Sequence, residues 1–324
     1  MKNISLGILS VYLCMLLSSA SFRCYCGNLP YEPPSDMSIP QTPSKEMQDN
    51  STKDHNTTND EYKSHSVADL NNGFYEDAIS NLNIYCSAHP SDIETRVLLA
   101  QSFYDEGDYD ETINRCNLIL QQNPDEPSAL VLRGCCFMYH RDWVNAISDF
   151  EKCSQIWPTN DAPFSLRAMA YYHQHNYAEA IETITKSLQI KTNNSNALLL
   201  RADACGSSGR YNQAIADYVS AISCDTNNFN AYNDYAWFRA TCLNRSLRDA
   251  AASIQMARAA CGLTSWKRWE CIDTLAVAYA ESGDFDSALM IENLARNLQG
   301  DSTVDEYLIQ QRIVSFKEHK MPKL

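Results

Sequence analysis

Small residues recur along this chain on a ruler of 34 positions: Ser66, Ala100, Gly134, Ala168, Ala202 and Ala236. Twelve residues after each of the first five stands a second small or modest residue, Ala78, Thr112, Ala146, Ala180 and Ala214. Three before each of those comes an aromatic ring: Tyr75, Tyr109, Trp143, Tyr177 and Tyr211. Pro90, Pro124 and Pro158 close the first three units, and Thr192 and Thr226 hold the matching places later. Two antiparallel helices approach closely only where side chains are small. The spacing therefore predicts one helix pair per unit, crossing at the small positions, with the ring plugging the space beside them and proline setting where the next helix begins. One such pair cannot cover its own apolar face, so stacked neighbours must do it.

Two distant stretches confirm the ruler and locate its one irregularity. "EGDYDETI" begins at residue 106 and "SGDFDSAL" at 282, an offset of 176, which is five units of 34 plus six residues. After Ala236 the next matching small residue is Ala276, and the register resumes with Tyr279, Phe285 and Ala288. The extra residues lie mostly in "TCLNRSLRD", in the turn between the two helices of the sixth unit, where a loop absorbs them at little entropic cost. Seven units follow, at 59–92, 93–126, 127–160, 161–194, 195–228, 229–268 and 269–302. Residues 303–324 hold a last helix, "VDEYLIQQRIVSFKEH", read as a cap, and a short tail. The first unit is the least regular, with Asp69 where Phe103, Phe137 and Tyr171 stand in the next three, as suits a terminal unit facing solvent.

This pattern resembles the tetratricopeptide repeat, a 34-residue helix-turn-helix with small, aromatic and proline slots in this order. The stretch from "YAWFRATC" to "AESGDFDSA" is also similar to the closing repeats of a group of bacterial proteins of that family. Ala236, Trp237, Ala240, Thr241, Cys242, Ala260, Cys261, Leu263, Thr264, Trp266, Asp273, Thr274, Leu275 and Ala276 match its elements, while Leu243 stands where those proteins usually carry proline. The resemblance implies an all-α fold, a right-handed α-solenoid of stacked repeats with a C-terminal capping helix. It also implies that the first helix of each unit lines a concave wall for an extended peptide or a partner's helix. By resemblance that wall includes Val97, Gln101, Val131, Cys135, Met169, Tyr172, Leu199, Asp203, Asn233 and Trp237. Of these, Gln101, Met169, Tyr172, Asp203, Asn233 and Trp237 are the candidate contacts, and Met169, Tyr172 and Trp237 the anchors. The wall lacks the Lys, Arg and Asn set with which the family holds a partner's terminal carboxylate, so an apolar or aromatic segment is the expected ligand. A structural component that assembles with itself through its terminal repeats is the alternative.

The N-terminal composition adds an address. "MKNISLGILSVYLCMLLSSA" has one Lys, an apolar run and small residues at its end, the layout of a secretory signal peptide over residues 1–20. Export is the expectation, with an uncleaved membrane anchor as the alternative; only in that case would the chain meet a membrane. Residues 21–58, rich in Pro, Ser, Thr and Asn, cannot bury a core and read as a flexible linker. An exported chain meets an oxidising compartment, yet its 13 cysteines form no zinc spacing. Most are expected to act as small buried hydrophobes, with a disulfide framework as the alternative. Asn50, Asn56, Asn193 and Asn244 stand in Asn-x-Ser/Thr triplets, relevant only in a glycosylating host.

Charge and motif searches narrow the function further. A net charge of −14 disfavours nucleic acid as a partner. No phosphate loop, dinucleotide fingerprint, HExxH or GxSxG occurs, so neither a catalytic residue, a small-molecule substrate nor a cofactor is expected. His173 and His175 are read as two exposed turn histidines rather than metal ligands. Arg133, Arg167 and Arg201 recur every 34 residues, and Asp149 and Asp217 follow the first and third by 16. This spacing predicts a structural ion pair between facing helices, absent where the second copy carries Thr183.

Overall fold

A computed structural model of the chain describes residues 59–298 and 303–322. The expected signal peptide and linker, with Cys24, Cys26, Asn50 and Asn56, lie outside the described residues, as do the junction at 299–302 and the last two residues. The described residues are an all-α repeat solenoid of paired helices, in two compact units. The N-terminal unit, 59–175, holds α1 (Asn59–Asn71), α2 (Tyr75–Ala88), α3 (Ile93–Glu106), α4 (Tyr109–Gln122), α5 (Pro127–Tyr139), α6 (Trp143–Ile156) and α7 (Asp161–His173). The C-terminal unit begins at Asn176 with α8 (Tyr177–Ile190), α9 (Ser195–Ser207), α10 (Tyr211–Cys224) and α11 (Phe229–Thr241). A 3₁₀ turn (Arg245–Leu247) follows, then α12 (Ala250–Leu263), α13 (Trp269–Glu281), α14 (Phe285–Leu298) and α15 (Thr303–Lys317).

Local chemistry starts and stops these helices. Side chains of Asp92, Asp108, Asp142, Asn160, Asn194 and Asp249 each accept a hydrogen bond from an N–H of the following first turn, filling donors that a helix leaves open. At the turn inside every pair but the sixth the backbone reverses through the left-handed region. Gly107 and Gly209 serve there at φ 93° and 79°, and Arg141 and His175 hold the two positions between them at φ 60° and 62°. The six-residue insertion is taken up by the 3₁₀ turn between α11 and α12, anchored by Asn244, which accepts from the Ser246 N–H.

The small positions are the helix crossings. Ala78, Ala100, Ala146, Ala168, Ala180, Ala202, Ala214, Ala236, Ala276 and Ala288 are wholly buried. At Gly134 the space is already filled, because a β-carbon there would stand 2.6 Å from Cε1 of the Phe150 ring. Cysteines fill similar space. All ten in the described residues are free thiols, and eight of them are buried, as the small-hydrophobe reading expects. Among the described residues no helix is long and apolar enough to cross a membrane.

The recurring arginines tie second helices to first. Arg133 donates from Nε and Nη2 to both oxygens of Asp149 (2.8 and 2.7 Å) and from Nη1 to Asn117 Oδ1, 16 residues upstream. Arg201 repeats the bidentate pair with Asp217 at 2.8 and 2.7 Å, and the guanidinium pKa rises in both copies, first through the carboxylate hydrogen bond. Arg167, whose residue 16 positions on is Thr183, instead pairs with Glu151 at 3.2 Å and leaves its Nε without a partner. Asp217 is 5% exposed, so Asp217→Ala strands a largely desolvated guanidinium and should cost about 2–3 kcal/mol in urea unfolding. An unchanged midpoint would mean that Arg201 finds water instead.

Candidate partner-binding surface

The candidate contacts fall on first helices, and each unit is described by itself. In the N-terminal unit, α3 and α5 lie side by side, so side chains aimed between them are lost to packing. Gln101 is 7% exposed and donates from Nε2 to Asp105 Oδ1 at 2.6 Å. Val131 and Cys135 are buried, and burial pushes the Cys135 thiol up to about 12. Val97 packs against the cluster of Ala100, Cys116, Ile119, Ala129 and Leu132. Met169 and Tyr172, one turn apart on α7, stay half-buried, with Tyr172 edge-on to His173 at 5.6 Å.

His173 corrects an expectation. It is not an exposed turn residue but stacks on Trp143 at 5.4 Å, and burial, helped by Arg141 and His175, pulls its pKa down to about 4. It is therefore neutral at physiological pH. Among the described residues no three His, Cys, Asp or Glu side chains gather to hold a metal ion.

In the C-terminal unit, Leu199 is buried and Asp203 half-buried, with Asp203 Oδ1 accepting from the Tyr218 hydroxyl. Asn233 is 3% exposed, and its Oδ1 has no hydrogen-bond partner. Trp237 is half-buried, and its cover comes from the last helix. The Arg312 guanidinium lies over its ring at 5.6 Å, and Phe316 packs among Ala240, Ala276, Val277, Ala280 and Ala288 beside it. Of the six candidate contacts, then, Gln101 and Asn233 are core residues by burial, and Met169, Tyr172, Asp203 and Trp237 keep partial access.

Beneath α15 lies a group of charges that no motif announced. Arg312 and Asp273 are 4% and 1% exposed and form an ion pair through Nη1 and Oδ1. Glu292 is wholly buried beside them, and neither of its oxygens meets a hydrogen-bond partner in good geometry. Burial first, and the facing Asp273 second, raise the Glu292 carboxyl well above its ordinary range, while Arg312 opposes the shift. The sequence did carry a signal. Sixteen residues after each small first-helix position come Leu82, Cys116, Phe150, Ile184 and Tyr218, and in the seventh unit that column reads Glu292.

Comparison with known proteins agrees with this architecture. A sequence profile of the tetratricopeptide repeat matches residues 195–228, which are α9 and α10 with their flanking turns. No curated protein matches the sequence. Among solved structures, a tetratricopeptide repeat protein from Parabacteroides merdae superposes with a TM-score of 0.59 at 14% identity, over 78% of this chain and 97% of its own. MamA from Desulfovibrio magneticus RS-1 gives a TM-score of 0.49 at 15% identity, over 52% of this chain and 95% of its own.

Proposed function

We propose that the chain, whose residues 195–228 match the tetratricopeptide-repeat profile and whose described residues form a repeat solenoid, is a non-catalytic scaffold holding a peptide or a partner's helix against its first helices. The observation that carries this reading is the pair Met169 and Tyr172, an adaptable thioether and an aromatic ring left half-exposed one turn apart on α7. Residues of these types commonly anchor interfaces. The absence of chemistry in the reading is supported by where the perturbed groups lie. Among the described residues the raised thiols other than Cys86 are packed in cores, and Glu292 is sealed under α15.

The experiment is capture of partners from host extract by the parent and by a Met169→Ala, Tyr172→Ala variant matched in circular dichroism. Truncating an aromatic anchor typically costs about 2 kcal/mol, so retention should fall by at least about tenfold. Equal retention would sink the α7 site. Capture of the chain's own copies alone would favour self-assembly, a reading that the exposed stripe Met290, Leu294 and Leu298 on α14 makes concrete.

We further propose that the chain is exported by residues 1–20 and that 21–58 tether the solenoid. N-terminal sequencing of protein recovered from the host should begin near Ser21. A start at Met1 in the membrane fraction would replace export with anchoring.

A further inference from the structure

We propose that Trp237, Asp273 and Glu292 form a guanidinium-binding site in the C-terminal unit, now filled by the chain's own Arg312, and that an arginine-bearing helix of a partner displaces α15 to bind there. The inference rests on the scaffold reading for its partner, but the site itself rests on geometry. One guanidinium sits over an indole ring at 5.6 Å and pairs with one carboxylate, while a second carboxyl, fully buried, faces that carboxylate without a hydrogen bond of good geometry. The mixture of ring face and carboxylates is the environment that a planar, weakly hydrated guanidinium prefers to an ammonium.

α15 also displays what the site accepts. Among its described side chains the buried ones are Ile309, Arg312, Ile313 and Phe316, spaced i, i+3, i+4 and i+7, so a single amphipathic face is seated on the wall of α11, α13 and α14. Its opposite face leaves Tyr307 and Val314 exposed. Glu292 makes this seal weaker than it could be. Earlier units place Leu82, Cys116, Phe150, Ile184 or Tyr218 in the same column, and a buried carboxyl facing a second carboxylate opposes docking where an apolar side chain would favour it. Once α15 leaves, two carboxylates and an indole face solvent, on a chain of net charge −14 that attracts a basic segment.

The test uses the full chain with Phe316→Ala, which loosens α15 and removes one apolar contact to Trp237 but leaves Trp237, Asp273 and Glu292 themselves unchanged. The probes are a labelled synthetic peptide of residues 303–320 and the same peptide with Arg312→Gln. The arginine peptide should bind at least about tenfold more tightly, a difference of about 1.4 kcal/mol. Adding Asp273→Asn and Glu292→Gln to the host should reduce that preference below about twofold. Equal binding of the two peptides overturns the proposal. So does binding of neither while hydrogen exchange shows α15 open and α13 and α14 still protected. If Phe316→Ala costs α13 and α14 their protection as well, the host variant Arg312→Gln decides instead. It should raise α15 exchange by about tenfold with α13 protected, and unchanged exchange overturns the latch. The α7 variant described above fails or succeeds independently of this arginine preference, so the two readings are separable.

Discussion

Replacing Phe150 with alanine is expected to remove about 3–5 kcal/mol from the N-terminal unit, the largest loss available to a single truncation there. Its ring is wholly buried on α6 and lies against Gly134 of α5. A companion change tests the same contact from the other side. Helix propensity alone says that Gly134→Ala should stabilise by about 1 kcal/mol. The new methyl, however, would meet Cε1 of Phe150 at 2.6 Å and Cζ at 2.9 Å, and overpacking a filled core costs about 1–3 kcal/mol. The expected sign is therefore destabilising. Gly262 on α12 provides the control, because nothing lies within 4 Å of a β-carbon built there and Gly262→Ala should gain stability. Urea unfolding followed by circular dichroism reads all three. A Gly134→Ala midpoint above the parent's would show that the α5–α6 crossing is loose and that its glycine answers to something other than packing.

The crossing was legible in the sequence because its cause is local. A small residue is needed wherever two helices touch, and the need returns with every copy, so Gly134 and Ala146 announce themselves by position alone. The bidentate pairs of Arg133 with Asp149 and Arg201 with Asp217 were legible for the same reason, since both partners lie in one unit at a fixed spacing. The candidate surface was less so. Whether a first-helix side chain faces solvent depends on its neighbours in adjacent copies. Gln101 sits near the α3–α5 contact and is spent on Asp105, and Asn233 is buried in α11. Trp237 shows a further reason. Its cover is Arg312 and Phe316, far along the chain in a helix outside the repeat, and no periodicity says where such a helix will lie. Glu292 was visible as an exception in an apolar column, but its consequence depends on Asp273 and Arg312 closing around it.

That consequence is a pH dependence. In the closed unit the groups facing the Glu292 carboxyl are Asp273 from α13 and Arg312 from α15, and burial dominates both, holding its pKa well above the ordinary carboxylate value of about 4.3. In the unfolded chain it titrates normally. Below about pH 4 the group is protonated in both states and opposes nothing. As pH rises, the unfolded state loses its proton first, and stability falls until the raised folded value is passed. Other groups act elsewhere or with the opposite sign. Asp249 and Asp284 are lowered, chiefly by hydrogen bonds from Ala252 and Ser287, and remove stability only below their ordinary range. His173, pulled down to about 4, favours folding as pH rises, but in the N-terminal unit. Comparing the parent with Glu292→Gln across pH 5 to 8 cancels these. The variant's advantage should grow with pH, and Glu292→Leu, which restores the apolar column, should add about 1–4 kcal/mol at pH 8. Thermal melts at the two ends of that range decide the matter. A parent-to-Gln difference that stays constant from pH 5 to 8 would mean that Glu292 is ionised in the folded chain as it is in the unfolded one, and the buried carboxylate would then be a fixed element of the cap rather than the weak point of its seal.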